Sequence, residues 1–336
     1  MISADIEKFS FDKWYPLFMD VSVEAIVIPI PNDVLEYFRR GDLILPVEAV
    51  RSTATNGIST EQNYTIDWDS VDDSPELEQP TYPEFSTKLK DAMNSLGGEV
   101  FVKMNWNAPK DAAWITSNKS LKCTSLEDIY LVLKGSEMLS EDISYEFQNS
   151  LPSRSAAAGC HCVVMKRWTD MHPGSEFRCF VKNHELVAVS QRDCAAYYEH
   201  IEVNRFIILE DIVKFFKRKI MRKFPLPNYT FDITRNDCKI TLIDFNPFDE
   251  HRTKPLLFKW AEIESKFCED NGTESEVTNK PEFRFLGEDP GIQSNQCKHS
   301  GVPYEVEDLC SYVSNMSIID YMIEESERQN SSGNVD

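Results

Sequence analysis

Glycine is scarce in this 336-residue chain, with 12 in all, and none falls in a G-x-x-x-x-G-K-[ST] loop. That excludes a Walker-type phosphate cradle. The lack of a glycine-rich loop followed by H-R-D excludes a protein-kinase core as well. No apolar run reaches membrane-spanning length. The opening "MISADIEKFS" carries acids where a signal peptide would place bases and then an apolar stretch. Nine cysteines, an odd number without a secretory leader, point to reduced thiols in the cytosol or nucleus. The six histidines show no ligand spacing, and nothing suits a Ser–His–Asp set. Cys160-His161-Cys162 lacks the C-x₂₋₄-C spacing and the second ligand pair of a zinc site, so it reads as a loop-to-strand junction.

Bases are the other shortage: 35 Lys and Arg stand against 56 Asp and Glu, for a net charge of −21. The imbalance is local. Residues 48–84 hold nine acids and one base, and residues 262–336 hold seventeen acids and five bases, so −20 of the −21 sits in two segments. The remainder is close to neutral. This argues against general nucleic-acid binding and leaves room for local basic pockets.

What is present organises the chain into four parts: residues 1–47, the N-terminal part of the core; 48–83, an acidic linker; 84–260, the main core; and 261–336, an acidic tail. In the first part, Phe11, Trp14, Tyr15 and Phe18 fall at i, i+3, i+4 and i+7, a helical stripe with Ser10 as N-cap and Pro16 as an imperfection. "AIVIPIP" reads as a strand, and "NDVLEYFRRG" as a helix capped by Asn32 or Asp33. The linker offers phosphorylation at Ser70 or Ser74. In the core, "YPEFSTKLKDAMNSLGG" is a helix stopped by Gly97-Gly98, and "EVFVKMNW" is a strand. "LEDIYLVLKGS" is helical, and "CHCVVMKRW" is a strand. "EFRCFVKNHELVAVSQRD" turns at Lys182-Asn183-His184. "FIILEDIVKFFKRKIMRKF" is a long helix whose basic end suits the macrodipole. "NYTFDITRNDCKITLIDFNPF" is strand, turn and strand. In the tail, "SIIDYMIEE" suits one short helix. The mixture of helices with short antiparallel strands predicts an α+β fold.

The chemistry concentrates in polar residues placed within apolar strands. In "TLIDFNPF", Asp244 and Asn246 lie two apart and share a face. An unpaired carboxylate there costs several kcal/mol, roughly, unless neutralised. Either an Arg or Lys pairs with Asp244, or Asp244 caps a turn before Pro247, or both oxygens face a hard cation such as Mg²⁺. "FDI" places a second carboxylate, Asp232, in the preceding strand. A symmetric two-residue turn at Asn236-Asp237 would pair Asp232 with Thr241 and turn Asp244 to the opposite face. A loop of odd length or a bulge would bring the two acids together. A shared metal therefore predicts an irregular turn between Ile233 and Ile240, and a regular two-residue hairpin there would rule the shared site out. Lys103, at the end of an apolar strand, suits a phosphate contact, with a solvated strand-edge lysine as the plain alternative, and the loop "NWNAPKD" after it suits closure over a ligand. "VVMKRW" adds Lys166, Arg167 and Trp168. Of the two bases, one faces a given pocket. "PGSEFRCF" adds Glu176 and Arg178 on one face, with a structural ion pair as the plain alternative. "SQRD" adds Gln191 and Arg192. Cations for phosphates, with acids and an amide for Mg²⁺, suit a nucleoside triphosphate held between sheets.

"KMNWNAPKDAAWI", "PGSEFRCFVKNHELVAVSQRD", "YYEH" and "LIDFNPF…LLFKW" resemble the cell-division-cycle protein 123 family over about residues 11–260. The resemblance implies an ATP-grasp fold whose two subdomains clasp Mg-ATP. It also implies a cytosolic, monomeric assembly chaperone that binds the gamma subunit of translation initiation factor 2, promotes assembly of the heterotrimer and so supports translation initiation and cell-cycle progression. Carried over by position, Lys103 contacts phosphates, and Trp106, Ala108 and Lys110, with Asp111, form the closing loop. Arg167 and Trp168, beside Lys166, flank the adenine. Glu176, Arg178, Gln191 and Arg192 line the nucleotide, and Asp232, Asp244 and Asn246 hold Mg²⁺. The chain departs from the family pattern in the order Lys166-Arg167, in Lys110 where Arg is usual, and at Asp249 and Lys254. The alternative is an ATP-grasp carboxylate–amine ligase acting through an acyl phosphate. No acceptor pocket stands out in the sequence, and this favours the assembly factor.

Overall fold

Two sheets carry the molecule, and alternation of apolar side chains decides both. The computed structural model describes residues 3–40, 42–50, 79–116, 119–143, 161–265 and 280–287. In chain order its strands are β1 (Ala25–Pro29), β2 (Val100–Lys103), β3 (Lys122–Cys123), β4 (Cys162–Arg167), β5 (Glu176–Lys182), β6 (Glu185–Gln191), β7 (Tyr229–Asn236), β8 (Lys239–Pro247) and β9 (Glu282–Arg284). The fold is mixed α+β. Ser70, Ser74 and the "SIIDYMIEE" segment lie outside the described residues.

The four-stranded sheet has the order β1-β4-β2-β3, with antiparallel neighbours. β4 is central and apolar on both faces. Val163 and Met165, with Val100 and Val102, pack under the helices Asn32–Arg39, Pro83–Ser95 and Leu126–Lys134. Cys162 and Val164 face the other way, into the larger core. Lys103 is opposite Val164 and Lys166 is opposite Phe101, so both lysines point to that second face. The helix Leu126–Lys134 starts on a full capping box between Ser125 and Asp128. The helix Asn32–Arg39 differs from expectation, because its cap position is Pro31 and no side chain caps it. Helix Pro83–Ser95 ends at Gly97 and Gly98, both at positive φ, as the glycine pair predicts.

The five-stranded sheet has the order β8-β7-β5-β6-β9. One face is apolar: Phe177, Cys179, Phe231, Ile233, Leu242 and Phe245 pack with Phe11, Trp14 and Phe18 of the predicted helix Phe11–Phe18. Each such side chain contributes roughly 1.5–3 kcal/mol by leaving water. The other face carries Glu176, Arg178, Asp232, Asp244 and Asn246. The β5–β6 turn is Asn183-His184, both at positive φ, within the stretch the sequence indicates. The long helix runs Glu199–Phe215, seven residues earlier than its apolar pattern suggests, and ends in a π-helical turn at Phe216–Ile220. β9 adds a parallel strand from within the segment read as an acidic tail.

The β7–β8 hairpin contradicts the expected irregular turn: the turn is regular, and the two acids share a face only through a bulge farther along β8. Its turn is a two-residue loop, Asp237-Cys238, closed by the pair Asn236 and Lys239. Continued unbroken, that register would set Ile243 opposite Asp232 and bury Asp244 in the core. Ile243 bulges instead, and pairing steps from Ile233–Leu242 to Asp232–Asp244. The break thus lies in β8, beyond the turn at 233–240. It keeps Phe245 in the core and brings Asp244 and Asn246 to the face that holds Asp232.

Candidate functional site

β8 is the edge strand that meets the four-stranded sheet, and its bulge is where the two lysines arrive. Lys103, 1% exposed, donates to the Asp244 carboxylate. The other Asp244 oxygen accepts from the Phe245 N–H at 3.0 Å. Lys166 donates to the carbonyl of Ile243 at 2.7 Å. The Phe11 ring lies under both ammonium groups, 5.6 Å from Lys103 and 4.6 Å from Lys166. Burial, with repulsion from Lys103, outweighs the pull of Asp244 and lowers the Lys166 pKa to about 7.

Arg178 grips Asp232 with Nε and Nη2, each 2.8 Å from a carboxylate oxygen, and its Nη1 donates to the Lys254 carbonyl at 2.9 Å. Arg192 lies 3.1 Å from Glu176 and 3.7 Å from Asp232. Burial alone would raise the Asp232 carboxyl. The Arg178 and Arg192 guanidiniums overcome it and hold that carboxyl well below the usual range. Glu176 goes the other way: burial raises it despite Arg192. Lys110 keeps solvent contact at the start of the turn Lys110–Ile115, yet protein crowds its ammonium. That crowding, with Arg192 and Arg178, pushes it down to about 8.

The cluster therefore gathers five basic side chains, Lys103, Lys110, Lys166, Arg178 and Arg192, of which Lys166 is only partly protonated at neutral pH, around three carboxylates, Glu176, Asp232 and Asp244. It is a locally cation-rich cluster in an acidic chain, of a charge that suits a polyanion. Asp232, Asp244 and Asn246 share a sheet face, and the Asn246 amide lies 3.5 Å from Asp232. By type this oxygen set suits a hard divalent ion once Lys103 gives up Asp244 and Arg178 gives up an Asp232 oxygen, since ion pairs hold both carboxylates. Among the described residues, no three His, Cys, Asp or Glu side chains converge as a metal site; here the set is two carboxylates and a carboxamide.

The D123 family model matches residues 14–310. The chain belongs to the D123 family. Among curated relatives, the Xenopus laevis protein called translation initiation factor eIF2 assembly protein is 35% identical over 93% of this chain and 93% of its own length. A Danio rerio protein of the same name is 34% identical over 96% and 94%. The solved structure of Cdc123 from Schizosaccharomyces pombe superposes with a TM-score of 0.65 at 32% identity, covering 84% of this chain and 97% of that one.

Within this D123 family member, several expected site residues stand apart from the cluster. Of the two bases in "VVMKRW", Lys166 faces it, whereas Arg167 turns outward to an exposed pair with Glu24 at 2.7 Å. Adjacent strand residues cannot share a face, which is the reason. Asp111 accepts from Ser136 Oγ at 2.6 Å and from the Met138 N–H at 3.1 Å, tying down the helix Glu137–Ile143. Gln191 lies opposite Phe177, on the apolar face. It is fully buried, donates to the carbonyls of Asp193 and Ala196 at 2.6 and 2.7 Å, and accepts from the Leu286 N–H at 3.1 Å. The Trp168 indole N–H donates to Asp170 at 2.8 Å. Trp106 packs on the main core, and the Ala108 carbonyl accepts from the Lys110 N–H at 2.8 Å. Sequence reasoning overlooked Asn105, which is buried, donates to Ser10 Oγ at 2.9 Å and accepts from the Cys162 N–H at 2.8 Å. A carboxamide inside "VKMNW" was the available signal.

Proposed function

We propose that this D123 family member is an Mg-ATP-binding assembly factor for translation initiation factor 2. It grips the gamma subunit and promotes formation of the heterotrimer in the cytoplasm, acting as a monomer and without contacting nucleic acid. The observation that carries the nucleotide reading is the surplus of cations over carboxylates between the two sheets, against a net charge of −21 for the chain. Relatives 34–35% identical over more than nine-tenths of the chain are called eIF2 assembly proteins, which supports the assembly role.

In this reading Lys103, Lys166 and Arg192 meet the phosphates, and Lys110 closes over them from its loop. Asp244 and Asn246, with Asp232 once Arg178 yields one of its oxygens, hold the divalent ion, which neutralises phosphate charge and fixes the triphosphate between the sheets. ATP then braces the two sheets as a rigid unit, and the partner surface lies elsewhere. Mg-ATP is expected to raise the melting temperature of the native chain, and Asp244→Ala to remove the rise. Affinity capture is expected to recover the gamma subunit. No shift in the native chain would end the nucleotide reading, and capture without that subunit would end the assembly reading.

A further inference from the structure

We infer that Lys103 holds the metal position closed until a triphosphate arrives, so that the divalent ion enters with the nucleotide and not before it. This rests on the nucleotide reading above and adds an order of events to it. Lys103 is at the end of β2 with its ammonium on the Asp244 carboxylate, and only 1% of its surface meets water. The second Asp244 oxygen is occupied by the Phe245 N–H. Arg178 takes both oxygens of Asp232, and the third oxygen-bearing group, Asn246, turns its amide nitrogen to Asp232. Each carboxylate that a metal would use is thus already neutralised from within.

The local sum favours this order. A bare divalent ion would join Lys103, Arg178, Arg192, Lys110 and a partly protonated Lys166 facing three carboxylates, in a setting where burial strengthens repulsion. A triphosphate reverses the sum. It offers Lys103 a new anionic partner, Asp244 is released, and its freed oxygen faces the metal that the phosphates also hold. No bond is made or broken beyond these exchanges of ion pairs. Because coupling is reciprocal, the metal must tighten nucleotide binding by the same factor as the nucleotide tightens metal binding.

Mn²⁺ serves as the probe, read by electron paramagnetic resonance of the free ion. The full native chain is expected to bind Mn²⁺ alone at least ~10-fold more weakly than in the presence of saturating ATP, after correction for Mn²⁺ bound by free ATP. Lys103→Met is expected to bind Mn²⁺ alone at least ~10-fold more tightly than the native chain while losing affinity for ATP; a purely structural role for Lys103 would weaken both. Lys103→Gln gives the same readout if the methionine variant does not fold. Adding Asp244→Asn to either is expected to abolish the gained binding. Equal Mn²⁺ affinity of the native chain with and without ATP, when ATP binds, overturns the inference and leaves the nucleotide reading intact. So does a folded Lys103 variant that gains no metal binding. ATP that binds under no condition overturns the nucleotide reading itself, and the coupling with it.

Discussion

At the scale of single residues, burial separates ion pairs that hold the fold from those that decorate it. Asp232 and Arg178 are 3% and 7% exposed and share a two-point contact. Asp232→Asn leaves the Arg178 charge buried without its counter-ion and should cost about 3–5 kcal/mol at pH 7. The Asp232 carboxyl is held below its usual value of 3.8, so its contribution is present above that pH and is lost as pH falls toward the lower folded value. Urea unfolding at pH 7 and pH 3 should therefore show the gap between native and variant narrowing in acid; a widening gap would contradict this. Arg167 and Glu24 make an equally short contact, yet both are largely exposed. Arg167→Met should change stability by less than ~0.5 kcal/mol. The sequence made Asp232, Asp244 and Asn246 legible because a polar group in an apolar strand demands an explanation. It could not choose between Lys166 and Arg167, since that choice depends on which strand face meets the second sheet, and no neighbour in sequence decides this.

Elements were legible where the cue was local. The turn at Asn183-His184, the stop at Gly97-Gly98 and the aromatic stripe of Phe11–Phe18 all follow from residues in contact along the chain. The start of the long helix was missed because its first turns, with Glu199, His200 and Glu202, bury only Ile201 and show no stripe. The bulge at Ile243 was invisible as a position: a hairpin can correct its register anywhere along its length. β9 was invisible as a strand because its pairing with β6 joins residues nearly a hundred positions apart. Gln191 fastens that strand at a buried junction between the Leu286 N–H and the carbonyls of Asp193 and Ala196. Gln191→Leu keeps the volume and strands those groups, at a cost of about 2–4 kcal/mol. A lower urea midpoint and faster amide exchange at Leu286 would confirm it, and unchanged protection there would refute it.

At the scale of the whole molecule, charge is distributed against its own average. The acid excess lies in residues 48–84 and 262–336, while the junction of the two sheets gathers cations. That contrast was half legible: counting located the acid segments, but nothing in the sequence showed that Lys103, Lys166, Arg178 and Arg192 converge. Folding brings together two sheets whose separate faces carry unlike charges, and a ligand that bridges them should stabilise both. With free Mg-ATP at ~100 times its dissociation constant, the expected gain is about 2.7 kcal/mol. The most direct measurement is calorimetric titration of Mg-ATP into the purified native chain and into Asp244→Ala. Saturable one-to-one binding by the native chain, abolished in the variant, is the predicted result. No binding by the native chain, or equal binding by both, would contradict the assignment of this cluster.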